Sequence, residues 1–329
     1  MKQTATARAH ANIALAKYWG KADVARNLPA VPSLSLTLAG MRTTTEVTFD
    51  AALEADELFL GGAAQQGKPL QRATKLLNEV RGLAGTDTFA KVRSVNDFPT
   101  ASGLASSASG FAALALAAVT ALGLELPTDR VSAIARAASA SAARSLYGGY
   151  VELGASADSA LRVAPPEHWP LCMLVAVTSE AAKDTGSTDG MQHTARTSPY
   201  YASWVTDAPR LFAEVKAAVL ARDFERLAVA AEQSALAMHA SMLAASPALI
   251  YFRPATLAVI EAVRAARRAG VPCCFTIDAG PHVKVLVEPQ SAGALRAQLG
   301  RVEGVLRVLE SAPGPDAAVL ADGAPELAG

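Results

Sequence analysis

The run Asp97-Phe98-Pro99-Thr100-Ala101-Ser102-Gly103-Leu104-Ala105-Ser106-Ser107-Ala108-Ser109-Gly110 constrains this chain more than any other. It places four serines, one threonine and two glycines between a strand-like stretch, Phe89 to Asn96, and an Ala/Leu-rich helix, Phe111 to Leu124. Small residues let a backbone approach a ligand closely, and the free amides of a helix start favour an anion. Serine hydroxyls add hydrogen bonds to phosphate or complete the shell of a magnesium ion. Strand, small-residue loop and helix together form the framework of a nucleotide phosphate cradle. A plain loop with a helix cap is the competing reading.

Bulk properties narrow the classes. The 329 residues suffice for two domains, and 30 basic side chains balance 30 acidic ones. That balance gives no support for nucleic-acid binding, whose footprint is a basic surface. No apolar run reaches the length of a membrane span, and the opening residues Met1 to Arg8 lack the apolar core of a secretory signal. The three cysteines, Cys172, Cys273 and Cys274, are odd in number and lack C-x-x-C spacing. A disulfide framework is not indicated, and a reducing, cytoplasmic compartment is expected.

The pattern of periodicities is α+β. Strands are expected at Thr43–Phe49, Glu57–Leu60, Cys172–Val177, Cys273–Ile277 and Val283–Glu288. Helices are expected at 69–85, 129–143, Pro199–Arg222, Phe224–Met242, Thr256–Gly270 and Ser291–Gly300. Thr178 to Thr197 reads as a polar loop carrying a domain boundary near residue 182, which gives domains 1–182 and 183–329. The Ala/Gly/Pro-rich tail after Ser311 reads as loose.

Some signals point away from common chemistries. Gly62 to Lys68 fits G-x-x-x-x-G-K, but Pro69 stands where a P-loop needs Ser or Thr, so a hairpin tip is expected. The five histidines form no H-E-x-x-H pattern, and no G-x-S-x-G elbow occurs. Three other segments carry candidate chemistry. Asn12 to Lys21 gathers Lys17, Tyr18, Trp19 and Lys21, with a strand end and solvated lysines as the alternative. Ser139 to Ser145 sets Arg144 among small residues. Its guanidinium suits two parallel bonds to carboxylate or phosphate, or else it is a surface arginine near a helix end. Asp278 closes an apolar strand before Ala279-Gly280-Pro281-His282, as a poised carboxylate or simply a turn-former.

Together these segments are similar to the GHMP kinase superfamily, through Pro99 to Ala108, and within it to the diphosphomevalonate decarboxylase branch. The branch resemblance rests on Asn12 with Lys17-Tyr18-Trp19-Gly20-Lys21, Phe98 to Ala101, Arg144 to Gly149, Gly186 to Met191 and Asp278 to Pro281. It runs in order from about Thr4 to Glu310.

The resemblance implies a two-domain fold: an N-terminal domain like ribosomal protein S5 domain 2 and a C-terminal GHMP domain, with the site between them. It implies ATP-dependent decarboxylation of (R)-5-diphosphomevalonate to isopentenyl diphosphate through 3-phosphorylation, with ATP and Mg²⁺ required. Asp278 would orient the 3-hydroxyl and take its proton, and Arg144, supported by Asn12, would hold the carboxylate. Lys17 would lie near the transferred phosphate. Tyr18, Lys21, Ser139, Ser141, Ser187 and Thr188 would bind the diphosphate end of the substrate. Ser94, Asn96 and the loop Ser102-Gly103-Leu104-Ala105-Ser106-Ser107 would bind ATP, with Ser106 or Ser107 touching magnesium. A homodimer is the habit of the family.

Two departures stand out. His282 replaces the usual Asn after Asp-Ala-Gly-Pro, and Ala143 replaces the usual Cys or Ser before the arginine. The alternatives are a relative acting on mevalonate or its 5-phosphate, as decarboxylase or 3-kinase, and a catalytically silent ligand sensor. Retention of both Asp278 and Arg144 argues against the sensor.

Overall fold

The computed structural model describes residues 2–98, 106–181, 184–321, 324 and 327. In chain order its elements are β1 (Gln3–Ala16), β2 (Lys21–Asp23), β3 (Leu28–Pro29), β4 (Ser33–Phe49), β5 (Glu57–Leu60), β6 (Ala63–Ala64), α1 (Lys68–Ala84), β7 (Ala90–Asn96), α2 (Ser106–Ala121) and α3 (Thr128–Ala138). A 3₁₀ turn, Ala140–Leu146, precedes β8 (Tyr150–Leu153), β9 (Leu161–Ala164), β10 (Cys172–Val177), α4 (Ser187–Thr197), α5 (Tyr201–Ala221) and α6 (Phe224–Leu243). Then come α7 (Pro254–Arg268), β11 (Cys273–Ile277), β12 (Val283–Val287), α8 (Pro289–Leu299), β13 (Arg307–Ser311) and β14 (Ala318–Leu320).

Two sheets carry the site. The first runs β14-β1-β4-β7-β5-β6, with β8 and β9 branching from β4. Its long strands β1 and β4 pair antiparallel, with a register shift between His10 and Asn12. Around this irregularity β1 changes cores. Ala7 and Ala9 pack with apolar residues of α1, α2 and α3. Ala11, Ile13 and Leu15 pack with Val215, Val219 and Leu227 of α5 and α6. One strand thus ties the two halves of the chain together, and its end falls between them.

The second sheet, β11-β12-β10-β13, is antiparallel throughout. Strands β10, β11 and β12 are buried along their whole length because both faces are covered. Val283, Val285 and Val287 pack with Val259, Val263 and Leu295 of α7 and α8. Cys274 and Leu286 turn the other way, into the core shared with β1, α5 and α6. That two-sided cover explains why these strands read as continuous apolar runs in the sequence.

Three sequence expectations change. Ser187–Thr197, within the supposed polar loop, is helix α4. The helix expected over 129–143 stops at Ala138 because Ser139 takes an extended conformation, so Arg144 sits in the 3₁₀ turn that follows. The tail after Ser311 is anchored as far as Leu320. Ala39 N–H donates to Ala312 O at 2.9 Å, Gly314 N–H to Thr37 O at 2.7 Å, and β14 pairs with β1. Gly148 and Gly314 permit this passage, since a β-carbon at either would strike the backbone of the facing segment. The Gly62–Lys68 segment is a hairpin tip only at its start: Gly62 closes the turn between β5 and β6, Ala63–Ala64 is β6 itself, and Gly67 precedes α1.

Candidate active site

The end of β1 is fixed from the second half of the chain. Lys17 N–H donates to Ser234 Oγ of α6 at 2.9 Å, and Thr276 Oγ1 of β11 donates to Ala14 O at 3.2 Å. Lys17 therefore leaves the strand as a buried side chain, 2% exposed. This displaces the solvated-lysine alternative. Its Nζ reaches Asp278 Oδ1 at 2.5 Å, one residue beyond β11. The opposite carboxylate oxygen, Oδ2, lies 3.1 Å from Nζ of Lys284, a fully buried lysine near the start of β12. The Asp278 carboxylate is thus ion-paired on both sides, and its side chain stays 26% exposed.

Electrostatics follow from burial. Desolvation, opposed by Asp278 and reinforced by Lys284 and Arg144, lowers the Lys17 ammonium to about 8. Desolvation would raise the Asp278 carboxyl, but the two lysines outweigh it and hold it well below the usual carboxylate range. Two ammonium groups against one carboxylate leave an excess positive charge here.

Arg144 adds to that excess. It is 2% exposed, and burial pulls its guanidinium down to about 10. Nε donates to Ser35 Oγ at 2.9 Å and to Asn12 Oδ1 at 3.2 Å, and Nη1 donates to Ser33 Oγ at 2.7 Å. Asn12 is itself held by donating to Ser145 Oγ and Ser141 O at 2.8 and 3.0 Å. Among the described residues no carboxylate pairs with Arg144, so its charge is oriented by neutral groups and left for an anion. Nearby, the Tyr18 hydroxyl is buried with no hydrogen-bond partner among the described residues. A buried donor in that state suits an incoming acceptor.

A second cationic group surrounds Lys21. Burial lowers its ammonium, and Arg72 and Lys75 of α1 lower it further, while Asp189 of α4 raises it. Half-buried Ser187 and exposed Thr188 begin α4 beside that aspartate, and Ser139 Oγ lies 3.3 Å from Ser141 Oγ. Half-buried Ser94 and Asn96, the residues expected to meet the nucleotide, project from β7. Thr45 Oγ1 lies 2.8 Å from Ser94 Oγ, and Thr43 Oγ1 donates to Asn96 Oδ1 at 2.5 Å. Thr43 also meets Ser109 Oγ at 2.6 Å, tying the start of α2 to the sheet. Ser106 and Ser107 open α2, and Ser102, Gly103, Leu104 and Ala105 lie outside the described residues.

Sequence reading missed Lys284, Ser33, Ser35, Arg72 and Lys75. Signals existed for each. Lys284 interrupts an apolar strand; Ser33 and Ser35 alternate with leucines along one face of β4; Lys68, Arg72 and Lys75 share a helix face.

The turn carrying Tyr18, Trp19 and Lys21 depends on Gly20. Its φ is +112°, and a β-carbon there would meet the Tyr201 side chain. Gly20→Ala is expected to cost about 2 kcal/mol or more in urea unfolding; a change near zero would contradict this packing.

Two sheets sharing a core, a serine-rich start to α2 and an anion-seeking cleft agree with an enzyme of the GHMP kinase class. The profile of the diphosphomevalonate decarboxylase-like N-terminal domain matches residues 9–163, and that of the mevalonate 5-diphosphate decarboxylase C-terminal domain matches residues 173–307. Diphosphomevalonate decarboxylase of Candida albicans is 34% identical, covering 95% of this chain and 96% of its own. The structure of mevalonate diphosphate decarboxylase from Staphylococcus aureus superposes with TM-score 0.92 at 38% identity, covering 98% of this chain and 99% of that one. A structure of MDDEF in complex with MVAPP, AMPPCP and magnesium gives 0.90 at 41%, covering 97% and 99%. The chain belongs to the diphosphomevalonate decarboxylase family.

Proposed function

We propose that this chain catalyses ATP-dependent decarboxylation of (R)-5-diphosphomevalonate to isopentenyl diphosphate, releasing ADP, phosphate and CO₂. The observation that carries the reading is the ionised Asp278, clamped by two lysines beside an Arg144 that no carboxylate neutralises among the described residues. Family membership and the MVAPP and AMPPCP complex of the related MDDEF support it.

The residues divide the work as follows. Asp278 accepts a hydrogen bond from the tertiary 3-hydroxyl and receives its proton as the phosphoryl group arrives. A carboxylate held this far down is a weak base. Phosphoryl transfer through a loose transition state asks mainly for alignment and charge neutralisation, which it supplies. Lys17 faces the transferred phosphoryl group. Arg144 grips the substrate carboxylate with parallel hydrogen bonds and aligns the C–C bond that breaks. As the 3-phosphate departs, positive character at C3 is stabilised by the Asp278 anion.

Bound with the triphosphate, Mg²⁺ neutralises the charge of the phosphates. Ser106 and Ser107 would hold it, since hydroxyls suit an ion that brings most of its oxygen ligands as phosphate and water. Among the described residues no group of three His, Cys, Asp or Glu side chains could hold a metal ion. That donor set fits an ion arriving with the nucleotide.

Lys21, Arg72 and Lys75 favour a diphosphate over a monophosphate, because three cations exceed what one phosphate requires. Turnover of both substrates by the purified protein tests this, and preference for the 5-phosphate would overturn it. Lys21→Met is expected to raise KM for the diphosphate about tenfold with little change in kcat.

We also propose residues 1–182 and 183–329 as the two domains, the second returning β14 to the sheet of the first. A homodimer and a cytoplasmic location complete the proposal. No helix among the described residues is long and apolar enough to cross a membrane.

A further inference from the structure

We infer that Lys284 is a positioning residue for Asp278, holding the carboxylate oriented when Lys17 turns to the phosphoryl group. The inference rests on the function proposed above. Its first ground is geometry. Lys17 takes Oδ1 at 2.5 Å and Lys284 takes Oδ2 at 3.1 Å, so each lysine fixes a different edge of the carboxylate. A carboxylate offers about four lone-pair positions, and two remain for the substrate hydroxyl.

The second ground is origin. Lys17 follows β1 of the first sheet, whereas Lys284 lies in β12 of the second, facing Thr276 of β11 and Val175 of β10 in register. Asp278 is held from both sheets. The third ground is cost. Lys284 is fully buried in a strand otherwise made of Val283, Val285, Leu286 and Val287. An ammonium there is expensive to desolvate, and an apolar side chain of similar length would fill the space without that cost. Besides Asp278, its partner among the described residues is His282 O at 3.4 Å, a marginal contact. The compensation comes from Asp278.

This resolves a conflict over Lys17. One ammonium cannot pair fully with both Asp278 and an arriving phosphoryl group. If Lys17 moved alone, Asp278 would face a highly anionic substrate with no cation beside it. Lys284 stays in the sheet and keeps the carboxylate ionised and aligned through transfer.

Lys284→Met tests the inference. With melting and AMPPCP binding near wild type, kcat is expected to fall about a hundredfold while KM for both substrates stays within about threefold. The pH profile adds a readout that loss of packing would not produce. The charged and titratable groups facing Lys17 are Asp278, Lys284, Arg144 and His239. Removing the Lys284 cation relieves repulsion on the Lys17 ammonium. The decline of kcat/KM above about pH 8 in the wild type should therefore move to higher pH in the variant.

If Lys284→Met fails to fold, Lys284→Gln keeps a donor without charge. It should lose about tenfold in kcat with the same displacement of the basic limb. A kcat within threefold of wild type, or a loss of rate with the basic limb unmoved, overturns the inference. Wild-type turnover is measured first, and the variants are scored on whichever phosphorylated substrate the wild type uses. Failure of the diphosphate reading is thereby distinguished from failure of the role given to Lys284.

Discussion

Asp278→Asn is expected to lower the rate of isopentenyl diphosphate formation by at least about a thousandfold, with AMPPCP binding largely kept. The amide has nearly the same shape but neither accepts the hydroxyl proton nor opposes positive charge at C3. Coupled measurement of ADP and CO₂ release reads both halves of the reaction, and activity within severalfold of wild type would sink the role assigned to Asp278. The variant also carries a stability signature. Lys17 and Lys284 lose their counterion while remaining buried, a loss of about 3–5 kcal/mol when both are protonated. The sign with pH can be worked out. Lys17 already sits at about 8, below an ordinary lysine at 10.5, so the unfolded chain binds more protons than the folded one between those values. Stability therefore rises with pH in that window, and loss of Asp278 widens it downward. Urea unfolding should show a deficit for Asp278→Asn that is large at pH 6.5 and shrinks by pH 9.5. A deficit that grew with pH would contradict the lysine clamp.

Arg144→Lys is expected to reduce CO₂ release by more than about a hundredfold although the formal charge is kept. The guanidinium is held flat by Ser33, Ser35 and Asn12, three neutral partners that match its donors. An ammonium in this place cannot present two parallel hydrogen bonds, and it leaves buried hydroxyls without donors. Because the carboxylate grip acts after phosphorylation, ADP should outrun CO₂ in the variant. Equal release of the two at a rate within fivefold of wild type would show that Arg144 does not align the breaking bond.

Much of the fold was legible in the chain where burial is one- or two-sided along a whole element. Cys172–Val177 and Cys273–Ile277 agree with the expected strands to the residue, because unbroken apolar runs bounded by turns admit few other readings. Helices α5, α6 and α7 fall within about two residues of their periodic patterns. Helix α4 was hidden by its Ser-Thr-Asp-Gly opening, which is good turn chemistry as well as a good helix start. The anchored tail was hidden because its bonds are backbone bonds across close-packed glycines, which composition cannot reveal.

The site shows the same division. Lys17 and Asp278 stand out locally as polar residues ending apolar strands, but their contact spans 261 positions and no local pattern encodes it. Lys284 was overlooked because one charged residue in an apolar strand reads as noise until its partner is seen. Ser33 and Ser35 read as ordinary strand polarity until Arg144 is placed against them.

The pairing of β14 with β1 has a bearing on how the chain is made. Thr6 to Arg8 form ladder bonds with Ala318 to Leu320, so this side of β1 is closed by a strand made long after it. During synthesis that side of β1 is an open strand edge, available for mispairing, and it stays open until β14 has left the ribosome. On this side the first sheet is begun by β1 and sealed by β14. Its completion is a report that everything between these two strands, including both lysines and the aspartate of the cleft, has already been delivered.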